Sequence, residues 1–192
     1  MKDVIGAAFD QIAELVARMA RDASLQATIQ QASEAALLTV RNGNKLLFAG
    51  NGGSAAEAQH MAAEYVSRFK FDRPGLAAIA LTTDSSILTA IGNDYGYENV
   101  FSRQIETLGR AGDLLFLSST SGRSPNVLRA ISAARRIGVT TVLLTGEGYA
   151  PVVDAPDILI VVPSHVTARI QETHLLIGHT ICEIVELRMF GS

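Results

Sequence analysis

Tryptophan is absent from the 192 residues, and cysteine occurs once, at Cys182. A lone cysteine excludes an internal disulfide and, with it, the small secreted scaffolds that disulfides staple. An excess of basic residues is also missing: 16 Lys and Arg against 19 Asp and Glu leave a net charge of −3. That balance supplies neither the basic footprint of a nucleic-acid binder nor a polybasic patch for an anionic membrane. Long apolar runs are lacking too, since no uncharged stretch reaches the roughly 18–20 residues of a membrane span. The opening MKDVIGAAFDQIAEL carries Asp3, Asp10 and Glu14, unlike a signal or transit peptide. The expectation is a cytoplasmic protein of one domain, residues 1–192, whose partner is a small molecule or another protein.

The stretch KLLFAGNGGSAAEAQHMAAEYVSRF, residues 45–69, is the informative one. Residues 45–49 read as an apolar strand, 50–53 as a glycine-rich turn, and Ser54 as the hydroxyl cap of a helix. Missing β-carbons let backbone N–H groups approach an anion there, and the helix dipole favours it. Ahead of this segment, residues 3–42 carry apolar positions at helical spacing, broken near 22–25, which predicts two helices. Behind it, LAAIAL at 76–81 reads as a strand. Asp84-Ser85-Ser86 caps a short helix through 91, and GNDYG at 92–96 is a polar loop. A helix at 101–108 precedes the strand DLLFLS at 113–118, which runs into STSGRSP. Ser124 at an N-cap and Pro125 at the first helical position start a further helix to about 137. Strands at 139–144 and 158–162, separated by a loop at 145–157, lead to a last helix at 167–190.

Strands that are apolar throughout, each followed by a helix, indicate a parallel sheet covered on both faces. The prediction is a doubly wound five-stranded α/β domain: an N-terminal helical pair at 1–43, then the α/β core and C-terminal helix at 44–192. Ligands in such sheets bind beyond the carboxyl ends of the strands, where 50–54 and 119–124 both fall. Gly50, Gly52 and Ala55 satisfy the dinucleotide pattern G-x-G-x-x-A, but the acid it needs is missing, because Asp84 lies too far along. No G-x-x-x-x-G-K-[ST] occurs. STSGRS offers four hydroxyls at a helix N-terminus, which suits a phosphomonoester. His60 and Glu64, four apart, share a helix face at a spacing common to metal ligands and acid/base pairs. In the last helix, spacing alone groups His179 with Glu172 better than with Gln171, and it does not choose between a ligand His179 and a core His179.

Taken together, GNGGSAAEAQHMAAE, AIGNDYG, STSGRSPN and RIQETHLLIGH closely resemble the sugar isomerase (SIS) domain family and, within it, the phosphoheptose isomerase group. The likeness spans nearly the whole chain. It implies that Asn51, Gly52, Gly53 and Ser54 line a sugar-phosphate substrate and that Asn93 and Asp94 contact it. It also implies that Ser119, Thr120, Ser121 and Ser124 hold the phosphate. A zinc ion bound by His60, Glu64, Gln171 and His179 is implied as well, with Glu64 and Gln171 also touching substrate. The implied reaction is isomerisation of sedoheptulose 7-phosphate to D-glycero-D-manno-heptose 7-phosphate, an early step towards bacterial surface heptoses. Glu64 and His179 would act as the catalytic acid/base pair that moves protons through an enediol. Ala168 stands where some relatives carry an acid, and Arg123 adds a charge to the phosphate loop. The family is usually homotetrameric, with sites at subunit junctions. The rival reading is a non-catalytic SIS protein that binds the replication initiator; such members lack the acid and histidine that Glu64 and His179 provide here.

Overall fold

Three aspartates set the starts of three helices before the tertiary structure is considered. Asp3, Asp22 and Asp84 each accept a hydrogen bond at 2.9 Å from the backbone N–H three residues on, which satisfies a donor that a helix N-terminus leaves open. The computed structural model describes residues 3–149 and 154–191. Helices α1 (Val4–Met19) and α2 (Ala23–Arg41) precede strand β1 (Leu46–Gly50) and helix α3 (Gly53–Val66). Next come β2 (Ala78–Ala80), α4 (Ser85–Tyr95), a 3-10 turn at Tyr97–Asn99, and α5 (Ser102–Leu108). The chain continues with β3 (Leu114–Ser118), α6 (Pro125–Arg136), β4 (Thr140–Gly146), β5 (Ile158–Val162) and α7 (Thr167–Phe190).

All strand pairs are parallel, in the order β2-β1-β3-β4-β5. Alternation along each strand feeds two cores. Leu46, Phe48, Leu114 and Phe116 pack with α2, α3 and α7 on one face, and Leu47, Ala49, Leu115 and Leu117 pack with α5 and α6 on the other. The doubly wound five-stranded sheet and the N-terminal helical pair are therefore as expected. β2 is only three residues long and forms one edge of the sheet, with Ile79 exposed.

Three local expectations are corrected. α3 begins at Gly53, one residue before Ser54, and its N-cap is Gly52 with no side-chain hydrogen bond; Ser54 is buried instead. α4 runs on through Gly92 to Tyr95, so Asn93 and Asp94 lie in its last turn rather than in a loop. The stop is Gly96, at φ +85°, since it is this glycine that takes the left-handed conformation that ends a helix. β4 extends to Gly146, and 150–153 of the expected 145–157 loop lie outside the described residues. Among the described residues, no helix is long and apolar enough to cross a membrane.

Candidate active site

From β1 the chain winds to β2 on one side, whereas β3 lies on the other, so the winding reverses between β1 and β3. In doubly wound sheets ligands bind at such a switch point, beyond the carboxyl ends of the strands. Gly50 at the end of β1 pairs in register with Ser118 at the end of β3. The two loops expected to bind substrate thus open side by side.

The first loop is glycine-rich for geometric reasons. Gly52 has φ +56° and ψ −119°, a region that residues with a β-carbon avoid. A Cβ on Gly53 would meet the Gln171 amide at 2.8 Å, so α7 lies directly over this turn. Asn51 is a strut as well as a loop residue. Its side-chain amide pairs reciprocally with that of Asn126, at 2.9 and 2.8 Å, and its Oδ1 also accepts from the Tyr97 hydroxyl at 3.2 Å. Asn126, buried in the first turn of α6, ties the first loop to the second. It was not singled out in the sequence, although STSGRSPN contains it.

In the second loop, Gly122 at φ +63° closes a turn by donating its N–H to the Ser119 carbonyl at 3.0 Å. The Thr120 carbonyl accepts from Gly146 at 3.1 Å, and the Ser121 hydroxyl accepts from the Arg123 N–H at 3.2 Å. Ser124 occupies the N-cap position with Pro125 after it, as expected, but its hydroxyl makes no capping bond. It lies 3.4 Å from the Ser119 hydroxyl, which brings two hydroxyls together at the helix N-terminus. Asn93 and Asp94 are exposed and bonded to each other at 2.8 Å; among the described residues no hydrogen bond joins either to the two loops.

His60 and Glu64 do share a face of α3, with His60 Nε2 3.4 Å from Glu64 Oε1. α7 brings His179 to them, its Nε2 2.8 Å from that of His60. One ligand atom from each of the three lies within 4.8 Å of the others, the span of a possible metal-binding group. Burial lowers the His179 pKa, His60 lowers it further, and Glu64 partly opposes both. Its imidazole is therefore neutral at neutral pH and has a lone pair to offer. The histidine that fills the core is His174, wholly buried and held by burial at a pKa of about 4. Glu172 pairs with Arg169 at 2.9 Å, whereas Gln171 faces Gly53. A cleft of about 400 Å³ has Gly53, Glu57, His60 and Gln171 among its walls.

Glu57 is the residue that sequence reasoning missed. It stands one helical turn before His60, accepts a hydrogen bond from the Ser118 hydroxyl at 3.0 Å, and has Phe48, Met61 and Phe116 as neighbours around a small cavity. Burial raises its carboxyl from 4.5 to about 7, with the Ser118 bond acting in the opposite direction. The only signal was a carboxylate inside an otherwise alanine-rich helix. Because the folded pKa exceeds the unfolded one, stability falls as pH rises from about 4.5 to 7, and the full cost is present above that. At about 1.4 kcal/mol per pKa unit, with a discount for partial exposure, Glu57→Gln is expected to gain about 1–3 kcal/mol at pH 8 and nothing at pH 4. Urea unfolding of the metal-free proteins at several pH values measures this; parallel pH slopes for the two proteins would refute it.

A doubly wound parallel sheet with a glycine-rich and a hydroxyl-rich loop at its switch point, and a possible His/Glu/His metal-binding group on α3 and α7, defines an α/β domain of the class that binds ligands at the carboxyl ends of its strands. The family model described as SIS domain matches residues 9–146. The phosphoheptose isomerase of Burkholderia pseudomallei (strain 1710b) is 54% identical over 178 residues, covering 93% of this chain and 90% of that protein. That of Roseiflexus sp. (strain RS-1) is 58% identical over 158 residues, covering 82% and 80%. The solved phosphoheptose isomerase from Neisseria gonorrhoeae superposes with a TM-score of 0.86 at 44% identity, covering 95% of this chain and 96% of that one. The chain belongs to the SIS domain family and, within it, to the phosphoheptose isomerases. The reading of a non-catalytic binder of the replication initiator finds no support among these relatives.

Proposed function

We propose that this enzyme, a phosphoheptose isomerase, converts sedoheptulose 7-phosphate to D-glycero-D-manno-heptose 7-phosphate through an enediol. The observation that carries the mechanism is the meeting of His60, Glu64 and His179 beside a cleft that adjoins the first loop at Gly53. The phosphate docks on Ser119, Thr120, Ser121 and Ser124 at the N-terminus of α6, where the helix dipole favours it. Asn51, Gly52, Gly53 and Ser54 shape the opposite wall. The anchored phosphate fixes C1 and C2 by position, at the far end of the substrate.

Moving the carbonyl from C2 to C1 needs one proton taken from C1 and one delivered to C2, while a second proton leaves the C1 hydroxyl and one is gained by the C2 oxygen. Glu64 and His179, which come from two different helices and meet His60 at the edge of the cleft, serve as that acid/base pair. Glu64, with two oxygens, can hold a metal and still accept a proton. Two imidazoles and a carboxylate within a few ångströms suit zinc, whose bonds to nitrogen and oxygen run about 2.0–2.2 Å; His60, Glu64, Gln171 and His179 would hold it. Bound there, it supplies a Lewis acid that polarises the substrate oxygens. Asn93 and Asp94 contact the substrate across a subunit junction. A homotetramer agrees with the exposed Val4, Ile5 and Phe9 of α1, an apolar stripe that water does not favour. The setting is cytoplasmic, at an early step towards bacterial surface heptoses.

The test is incubation with sedoheptulose 7-phosphate and zinc in deuterated water, followed by NMR. Aldose product carrying solvent deuterium at C2 is the expected result. Absence of both product and exchange overturns the reaction, and product whose C2 carries only the substrate's own C1 hydrogen, with no solvent deuterium at any time, overturns the solvent-exchanging enediol route.

A further inference from the structure

Behind the cluster lies a buried ion pair with no part in substrate contact. Arg73, in the segment linking α3 to β2, and Glu186, near the end of α7, meet at 2.9 Å with side chains only 2% and 1% exposed. The Arg73 guanidinium also donates to the carbonyls of Glu64 at 2.8 Å and Tyr65 at 2.9 Å, the last turn of α3. Those carbonyls have no partner within their own helix. The Glu186 carboxylate accepts from the backbone N–H of Phe69 at 3.0 Å and of Lys70 at 2.7 Å. The Phe69 ring in turn stacks on His179, with centroids 5.4 Å apart and planes 27° apart.

One arginine therefore grips the main chain of Glu64, and the acid that neutralises it presses Phe69 against His179. Burial pushes the Glu186 carboxyl up, but the Lys70 and Phe69 N–H groups and the Arg73 guanidinium outweigh it and hold the group below the usual carboxylate range. The pair is thus charged throughout the physiological range. A buried ion pair is rarely more stable than apolar residues of the same volume, so stability alone does not account for one with this many directed bonds. Its bonds converge on Glu64 and on the ring next to His179, the two residues that come from separate helices.

The geometry points to Arg73, Glu186 and Phe69 as positioning residues, a clamp that sets Glu64 against His179 for metal binding and proton transfer. This rests on the reading of His60, Glu64, Gln171 and His179 as the metal ligands. Groups that orient ligands from behind change metal affinity by about 10–100-fold when removed, and the clamp should do the same without touching the sugar.

Arg73→Lys keeps the charge but loses the planar fork that reaches both helices. Because it could also unfold the chain, Phe69→Leu is the second variant: it keeps an apolar side chain and removes only the flat surface against His179. Phe69→Tyr is the conservative rescue, and Ile160→Val, in the core away from the cluster, is the control. For each, zinc affinity is measured by chelator competition, the visible spectrum of the cobalt form is recorded, and kcat and KM are determined separately. Phe69→Leu is expected to bind zinc about 10–100-fold more weakly, with an altered cobalt spectrum, a lower kcat and little change in KM. Phe69→Tyr should restore the zinc affinity, cobalt spectrum and kcat, and Ile160→Val should leave them native. Native zinc affinity and cobalt spectrum in Phe69→Leu overturn the clamp even if Arg73→Lys is unstable. If the native protein binds no zinc, the ligand reading fails separately. The clamp then stands or falls on whether Phe69→Leu slows C1 proton exchange at unchanged KM.

Discussion

Glu64→Gln is expected to fold normally and to lose about 10³-fold in the rate of C1 deuterium exchange with sedoheptulose 7-phosphate, within the range that a general acid or base contributes. Glutamine keeps the size of the side chain, so the half-buried space beside His60 stays filled. The backbone of residue 64 also remains held by Arg73. What changes is chemical: an amide takes up no proton at neutral pH and is a weaker metal ligand. The same NMR experiment on both proteins reads the effect, and the melting temperature shows that the fold survives. Exchange within tenfold of native would exclude Glu64 as the proton carrier and leave His179, or a residue from a neighbouring subunit, in that role.

Gly50→Ala is expected to be strongly destabilising. A Cβ there would lie 2.7 Å from the Ser54 Cβ, 2.8 Å from the Ser54 carbonyl oxygen and 2.9 Å from the Ser118 carbonyl oxygen. Two of the three are backbone atoms, one on α3 and one on β3, and neither can swing aside as a flexible side chain would. Accommodation requires α3 and β3 to part at the switch point, which disturbs both loops together. Overpacking of this kind costs about 3 kcal/mol or somewhat more, or roughly 6–12 °C in melting temperature for a domain of this length. Gly52→Ala is the informative contrast. Nothing lies within 4 Å of a Cβ at that position, so only backbone strain opposes it, at about 1–3 kcal/mol. Urea denaturation of both variants decides the matter: a Gly50→Ala midpoint equal to the native one would show that the helix and strand have slack.

Legibility in the sequence followed the range of the interactions. The helix start at Asp84 was readable because a capping aspartate acts on a backbone group three residues away, whereas near Asp22 only the break between two helices was legible. The Ser54 cap failed because the turn is set by Gly52 and by packing on Gly50, which no local rule of capping contains. The polar run GNDYG suggested a loop, and yet two glycines competed to end α4. Both are conformationally free, and Gly96 rather than Gly92 adopts the positive φ, so Asn93 and Asp94 became helical. On α7, spacing linked His179 to Glu172, which proves to be paired with Arg169. His174, five residues earlier, is the histidine that the core absorbs.

By itself the sequence determined the class of fold, since the continuous apolar strands need cover on both faces and each is followed by a helix that can provide it. It also determined the two loops, because glycines and clustered hydroxyls act through local backbone geometry. Only the tertiary structure decided which side chains meet. His60 and His179 are more than a hundred residues apart, and their contact depends on how α7 lies across α3. Glu57 has its raised pKa because β1 and β3 bring Phe48 and Phe116 around it. The Arg73–Glu186 pair likewise exists only where the α3–β2 segment reaches α7. Such distances depend on packing in three dimensions, and periodicity along a chain carries no information about them.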